Sequence, residues 1–221
     1  MAICAPKLRL LCSIAFLTIL HSTSAASAEP PRPAGSATDD LRWHLDHVLA
    51  TSQTASFRAL DPVGRRAEIR RIVTGLFDWS EMSRRALGAQ WRERSGPERR
   101  AFATRFGALA EHAYMGQVEQ LSARGVPPDP VRYLGESANG KETVVRTALM
   151  YPHEMPVDFL MSRRGARWQV TDVRVDGVSA AENYGAQFRR VTASESFAGL
   201  VDRMIEKADA APGDTHGAAQ R

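Results

Sequence analysis

The stretch 168-WQVTDVRVDGVSAAENYGAQFRR-190 decides the fold. It opens as a strand, because Trp168, Val170, Thr171, Val173 and Val175 are aromatic or β-branched. Asp176-Gly177 stops that strand. Ser179 follows, with Glu182 three residues on and apolar positions through Tyr184 and Phe188, a capping-box pattern that opens a helix. A last strand therefore turns into a helix through a corner of two or three residues. The corner is no nucleophile elbow, since Gly177-Val178-Ser179-Ala180-Ala181 lacks the second glycine of G-x-S-x-G.

Working upstream, residues 131–137, 143–151, 157–162 and 168–175 read as four strands. Asn139-Gly140 is a hairpin signal between the first two, and Arg164-Gly165-Ala166 joins the last two. Short, even connections predict an antiparallel sheet of four or five strands. Helical patterns lie before and after this meander instead of alternating with its strands, so the class is α+β. One face of the second strand carries Val145, Thr147 and Leu149, and one face of the third carries Val157, Phe159 and Met161. The other faces carry Val144, Arg146, Ala148 and Met150, and Asp158, Leu160 and Ser162. Simple alternation puts Trp168 and Val173 on opposite faces of the last strand. Periodicity cannot tell a solid core from a cavity wall, because both have the same composition.

Four helical segments precede the sheet. Thr38 or Asp39 can cap a helix with Leu41, Leu45, Val48 and Leu49 on one face. Asp61-Pro62 begins another, with Ile69, Ile72, Val73 and Leu76 inward and Arg65, Arg66, Arg70 and Arg71 among the rest. That arginine cluster reads as a solvated face, or as a surface for lipid phosphates or an acidic partner. Asp78 or Ser80 can cap a short helix over 81–87 that Gly88 ends. Ser95-Gly96-Pro97-Glu98 is the clearest start in the chain, a capping box with proline in the first turn. Phe102, Phe106, Leu109 and Ala113 then share a face, and the helix continues past Tyr114, Val118 and Leu121 to Gly125. After the sheet a final helix over 196–207 aligns Phe197, Leu200, Val201 and Met204.

Residues 1–28 read as a secretory signal peptide. Lys7 and Arg9 precede an apolar run over 10–20, and Ala26-Ser27-Ala28 is an A-x-A site, with cleavage expected after Ala28. The run is too short to span a bilayer, which takes about 20 residues. Cys12 follows Leu11, not a small residue, and Cys4 precedes the run, so neither fits a lipoprotein acceptor. Both cysteines leave with the signal, so the mature chain has no disulfide, thiolate nucleophile or Cys–metal site, which fits a bacterial periplasm. Residues 29–37 read as a flexible linker, 38–207 as one domain, and 208–221 as a disordered Ala/Gly/Pro tail. Removing Lys7 and Arg9 from 29 basic residues leaves 27 against 25 acidic ones, a net +2, which is not the footprint of a nucleic-acid binder.

Chemistry-bearing patterns fall short. His44 and His47 sit three apart with no third ligand nearby, and solvent-facing histidines are the simpler reading. His153-Glu154 begins H-E-x-x-H, but the fifth position is Val157 and Pro156 forbids the helix. Asp158, Asp172 and Asp176 could pair as carboxylates; Asp176 reads better as a turn residue and Asp172 as a partner for an arginine. No cofactor is expected.

The pattern W-x-V-x-D-V-x-V-x-G-V-S, then N-Y and Q-F, resembles the MlaC (toluene-tolerance) family of periplasmic phospholipid carriers. So do F-D-W-S-x-M-S-x-x-x-L-G at 77–88, Trp91-Arg92 and P-E-R-x-x-F at 97–102. The resemblance runs from about 38 to 207. It implies a curved sheet packed against a helical subdomain, with an apolar pocket between them for phospholipid acyl chains, and no catalysis. It implies exchange with an inner-membrane MCE-domain ABC transporter and an outer-membrane lipoprotein–porin complex. Members linked to hopanoid biosynthesis look similar, which leaves the cargo open. The candidate lining is Leu87, Phe106, Leu109, Tyr114, Val145, Leu149, Phe159, Met161, Trp168 and Val173. A small-molecule enzyme in a cone-shaped α+β fold and a periplasmic adaptor with a solid core are the competing readings.

Overall fold

Most helices begin where a short polar side chain can take an orphan backbone N–H. The computed structural model describes residues 35–150 and 153–209; the signal peptide, residues 29–34 of the linker and residues 210–221 of the tail lie outside them. Helix α1 (Ala37–Ser52) starts at Ser36, not at Thr38 or Asp39. Asp39 instead sits at the third helical position and closes a capping box back onto Ser36. A five-residue helix α2 (Ala55–Ala59), which periodicity does not reveal, is capped by Thr54. Asp61 caps α3 (Pro62–Val73), and Asp78 caps α4 (Trp79–Leu87). A 3₁₀ turn over Gly88–Trp91 leads to Ser95 and α5 (Gly96–Arg124), whose capping box with Glu98 forms as expected.

The sheet follows as an antiparallel meander β1-β2-β3-β4-β5. Its strands are β1 (Val131–Asn139), β2 (Glu142–Met150), β3 (Glu154–Arg164), β4 (Arg167–Val175) and β5 (Val178–Ser179). Asn139 pairs with Glu142, so the first turn is Gly140-Lys141, one residue later than an Asn-Gly turn would sit. The corner at Asp176-Gly177 is itself a hairpin. Both residues have positive φ (49° and 79°), and Val175 pairs with Val178 across them. An Asp-Gly pair in the left-handed region matches the twist of two antiparallel strands. The fifth strand is therefore only two residues long and runs directly into α6 (Ala180–Thr192), followed by α7 (Phe197–Asp209).

Among the described residues, three apolar clusters hold the elements together. The first joins α4, α5, α6 and α7 through Met82, Leu87, Phe102, Phe106, Leu109, Phe188, Leu200 and Met204. The second joins α1 and residues 76–77 to the sheet. The third joins Phe57 of α2 and Ile69 and Ile72 of α3 to Met115 and Val118 of α5. Helix α5 thus serves the first cluster with its N-terminal half and the third with its C-terminal half. Gly185 lets α6 lie against α4: a Cβ there would stand 2.6 Å from the Ala86 carbonyl oxygen.

Candidate functional site

Two bulges decide which strand residues face the helices. On β1, Tyr133 pairs with Thr147 and Gly135 with Arg146, so Leu134 is the extra residue and its side chain is exposed. On β3–β4, Leu160 pairs with Asp172 and Met161 with Val170, so Thr171 is the extra residue. A bulge bends its strand and shifts the side-chain alternation by one. Trp168 and Val170 therefore share a face with Val173, which plain alternation forbids, and all three pack in one cluster with Val145, Leu149, Val157, Phe159 and Met161. The centre of this face is buried. Its margin, made of Tyr133, Leu149, Met155, Trp168 and Val173, is only partly so. Burial pushes the Tyr133 phenol above its ordinary range; Asp46 adds to the shift and Arg42 opposes it.

Helix α1 lies over this face with Ala37, Leu41 and Leu45, and polar clamps hold its N-terminal end. Asp40 is buried and accepts the backbone N–H of Trp168 at 2.7 Å. The Trp168 indole N–H donates to the Gly35 carbonyl at 3.2 Å, and the Thr38 backbone N–H and hydroxyl both donate to Glu136. The Asp40–Trp168 bond also closes the outer edge of β4. Further along that edge, Val170 donates to the Leu76 carbonyl and accepts from the Asp78 backbone N–H. His44, expected at the surface, is fully buried, with Nδ1 2.9 Å from the Asp40 carbonyl oxygen. An imidazole one turn on from Leu41's side of the helix rides the same inward stripe, and its bond to the preceding turn satisfies it there.

The opposite sheet face is polar where it meets α4. Glu142 accepts from Arg85 at 2.6 Å, from Ser162 at 3.2 Å and from Thr171. Burial alone would push the Glu142 carboxyl up; the hydrogen bonds from Arg85 and Thr171 outweigh it and hold the group below its usual range. Arg85 also bonds Glu81. Asp172 is not the partner of an arginine. Its carboxylate accepts from the Ser179 hydroxyl at 2.6 Å and the Ala181 backbone N–H at 3.1 Å, at the N-terminus of α6. A carboxylate is favoured there by the orphan N–H groups and the helix dipole.

The helical cluster has a different texture. Phe102, Phe106, Tyr184 and Phe188 contact one another with ring centroids 5.0–6.2 Å apart, and Trp79 and Phe197 extend the stack. On its flank a groove of about 440 Å³ runs between α5, α6 and α7 over Leu109, Tyr184, Phe188, Val191, Leu200 and Met204. Arg203, Glu206 and Lys207 line it as well.

The structure does not gather the ten candidate lining residues on one wall. Val145, Leu149, Phe159, Met161, Trp168 and Val173 lie together on the sheet face. Leu87, Phe106 and Leu109 belong to the helical cluster, and of these only Leu109 reaches the groove. The Tyr114 side chain lies outside the described residues. Phe77 packs against both clusters and marks where they meet. Met155 and Tyr133 complete the sheet margin but were not anticipated. Met155 precedes a proline at a strand start, and the Leu134 bulge hides the phase of Tyr133. Among the described residues no group of three or more His, Cys, Asp or Glu could hold a metal ion. No helix there is long and apolar enough to cross a membrane.

Comparison with known proteins adds an independent line. The sequence model described as "MlaC protein" matches residues 44–206. No curated protein matches the chain. Among solved structures, the phospholipid-binding protein from Ralstonia solanacearum in complex with a phospholipid superposes with a TM-score of 0.65. It is 20% identical and covers 79% of this chain and 97% of its own. At that identity the likeness shows the fold, an α+β arrangement of helices and a five-stranded antiparallel sheet.

Proposed function

This chain belongs to the MlaC family, and from that premise we propose that it is a periplasmic carrier that holds a phospholipid by its acyl chains. The observation that carries the reading is the sheet face. A continuous apolar surface with a half-buried margin lies under a helix held down by polar clamps and apolar contacts. A phospholipid leaving a bilayer exposes its methylenes at about 0.8 kcal/mol each, on the order of 20 kcal/mol for two chains. A carrier must supply apolar surface of similar extent. The proposed lining is the sheet set Val145, Leu149, Phe159, Met161, Trp168 and Val173 with Met155 and Tyr133 beside it. Tyr114 is retained as a candidate from α5, and Phe77 closes the helical side. Leu87, Phe106 and Leu109 then act as the support behind the pocket.

Phospholipid is the proposed cargo instead of a hopanoid; the R. solanacearum protein of the same fold holds a phospholipid. An MCE-domain ABC transporter in the inner membrane and a lipoprotein–porin complex in the outer membrane are the proposed exchange partners. Export would remove residues 1–28, so the intact mass of the periplasmic protein should correspond to a chain starting at Glu29. Native mass spectrometry of that protein tests the cargo. Phospholipid adducts are expected; a hopanoid mass, or protein that never carries lipid, would overturn the reading.

A further inference from the structure

The arginines of α3 have no place in the pocket, and the corner between α2 and α3 exposes two apolar side chains beside them. Leu60 is 39% exposed and Val63 is 66% exposed. Asp61-Pro62 fixes the corner between them, with the Asp61 carboxylate turned inward to cap α3. Around this tip stand Arg58, whose Nη2 donates to the Gln53 carbonyl, and Arg66, one turn along α3 from Val63. Arg70 and Arg71 follow on the same outward side, paired with Glu111 and Glu68 but 60% and 49% exposed. Residues 55–73 hold five arginines against Asp61 and Glu68, a net +3 in a chain whose total is +4. Another corner with exposed apolar tips, the β4–β5 hairpin with Val175 and Val178, has Asp176 at its apex and no such surplus.

We propose that the α2–α3 corner is a membrane-docking surface: Leu60 and Val63 enter the interface of an anionic bilayer while Arg58 and Arg66 meet lipid phosphates. A surface that pairs a few apolar side chains with clustered cations suits a headgroup region, where each arginine near an anionic leaflet adds about five-fold to partitioning. A rigid acidic protein would match the arginines but leave the two apolar tips with little to bury against. The proposal goes beyond the carrier reading and does not depend on it, since a chain without cargo would dock in the same way.

Flotation of the purified protein with vesicles tests it, using equal parts phosphatidylcholine and phosphatidylglycerol against phosphatidylcholine alone, at low and high salt. Binding is expected only to the anionic vesicles and should weaken with salt. Arg58→Gln with Arg66→Gln should lower it about 25-fold, and Leu60→Ser with Val63→Ser should abolish it, while Val178→Ser should leave it unchanged. All five side chains are at or near the surface, and circular dichroism and co-purified lipid should match the wild type in each variant. Equal binding by the wild type and the arginine or apolar variants would overturn the proposal. So would a wild type that ignores anionic vesicles, which would leave an acidic protein as the partner of this face. Lipid-free protein that still binds vesicles would sink the carrier reading and leave the docking surface standing.

Discussion

The helical cluster and the sheet face are both apolar, yet they are built from different side chains and end differently. Between α4, α5, α6 and α7 the contacts are ring on ring, and Phe102 and Phe106 are fully buried. On the sheet, valine, leucine and methionine surround the separate rings of Phe159, Trp168 and Tyr133 beneath α1 and residues 76–77, with a margin that stays half-exposed. Interlocked rings give a cluster one arrangement, each good pair adding about 0.5–1.5 kcal/mol beyond its buried area. Aliphatic and thioether side chains tolerate repacking. The first region suits a rigid frame, and the second suits a wall against which a chain of methylenes can lie.

The largest break in that contrast should come from the frame. Phe106→Ala removes a fully buried ring at the centre of the stack and should cost about 3–5 kcal/mol. Urea denaturation should register this loss in full whether or not lipid is present. An effect that vanished in delipidated protein would place Phe106 in the pocket instead. Next comes the clamp on α1. Asp40→Ala leaves the Trp168 backbone N–H without its acceptor and should cost about 1–3 kcal/mol. Hydrogen exchange should accelerate in α1 and at the β4 edge, and not in α4 to α7.

Acid should act through the polar seam on the sheet's other face. The Glu142 and Glu81 carboxyls lie below their ordinary 4.5. For Glu81 the Arg84 hydrogen bond is the main cause, and burial opposes it. For Glu142 burial is the larger single influence and acts upward, but the bonds from Arg85 and Thr171 together overcome it. A carboxyl depressed in the folded state adds stability above its unfolded pKa and loses it as pH falls through the folded one. Stability should therefore hold at neutral pH and drop progressively below about 4.5. Arg85→Met should flatten that acid limb, and an unchanged limb would remove the seam from the account. The smallest stability change belongs to the wall. Leu149 is half-buried at the margin, so Leu149→Trp should shift stability by less than about 1.5 kcal/mol while displacing bound lipid. Val145 is a poorer place for that substitution, because it is fully buried and a tryptophan there would overpack.

Much of the fold was legible because local chemistry and tertiary role agree. Ser95 with Glu98, Asp61 with Pro62 and the turn at Gly165 act where the residues say they should, and the first hairpin forms with its turn one residue beyond the Asn139-Gly140 signal. The failures sit where a long-range contact outvotes the local signal. Ser36 looked like linker, yet it caps α1 because Thr38 and Asp40 are held by Glu136 and Trp168. His44 looked like surface, but it is fully buried and bonded to the Asp40 carbonyl of the preceding turn. Asp172 pairs with a helix start nine residues on, a contact that the β4–β5 hairpin creates. The site was half legible. Apolar positions were identifiable, but the Thr171 bulge that aligns Trp168 with Val173 leaves no mark in composition, and hydrophobic periodicity cannot separate a frame from a wall.

The methionines can test that separation in one spectrum. Met155 lies at the sheet margin, and Met82 and Met204 lie in the helical cluster. With methyl-¹³C methionine and protonated phospholipid bound to otherwise deuterated protein, intermolecular NOEs should run from acyl methylenes to Met155 and be absent at Met82 and Met204. Cross-peaks at Met82 or Met204 without any at Met155 would put the lipid among the helices and contradict the assignment of the sheet face as the wall.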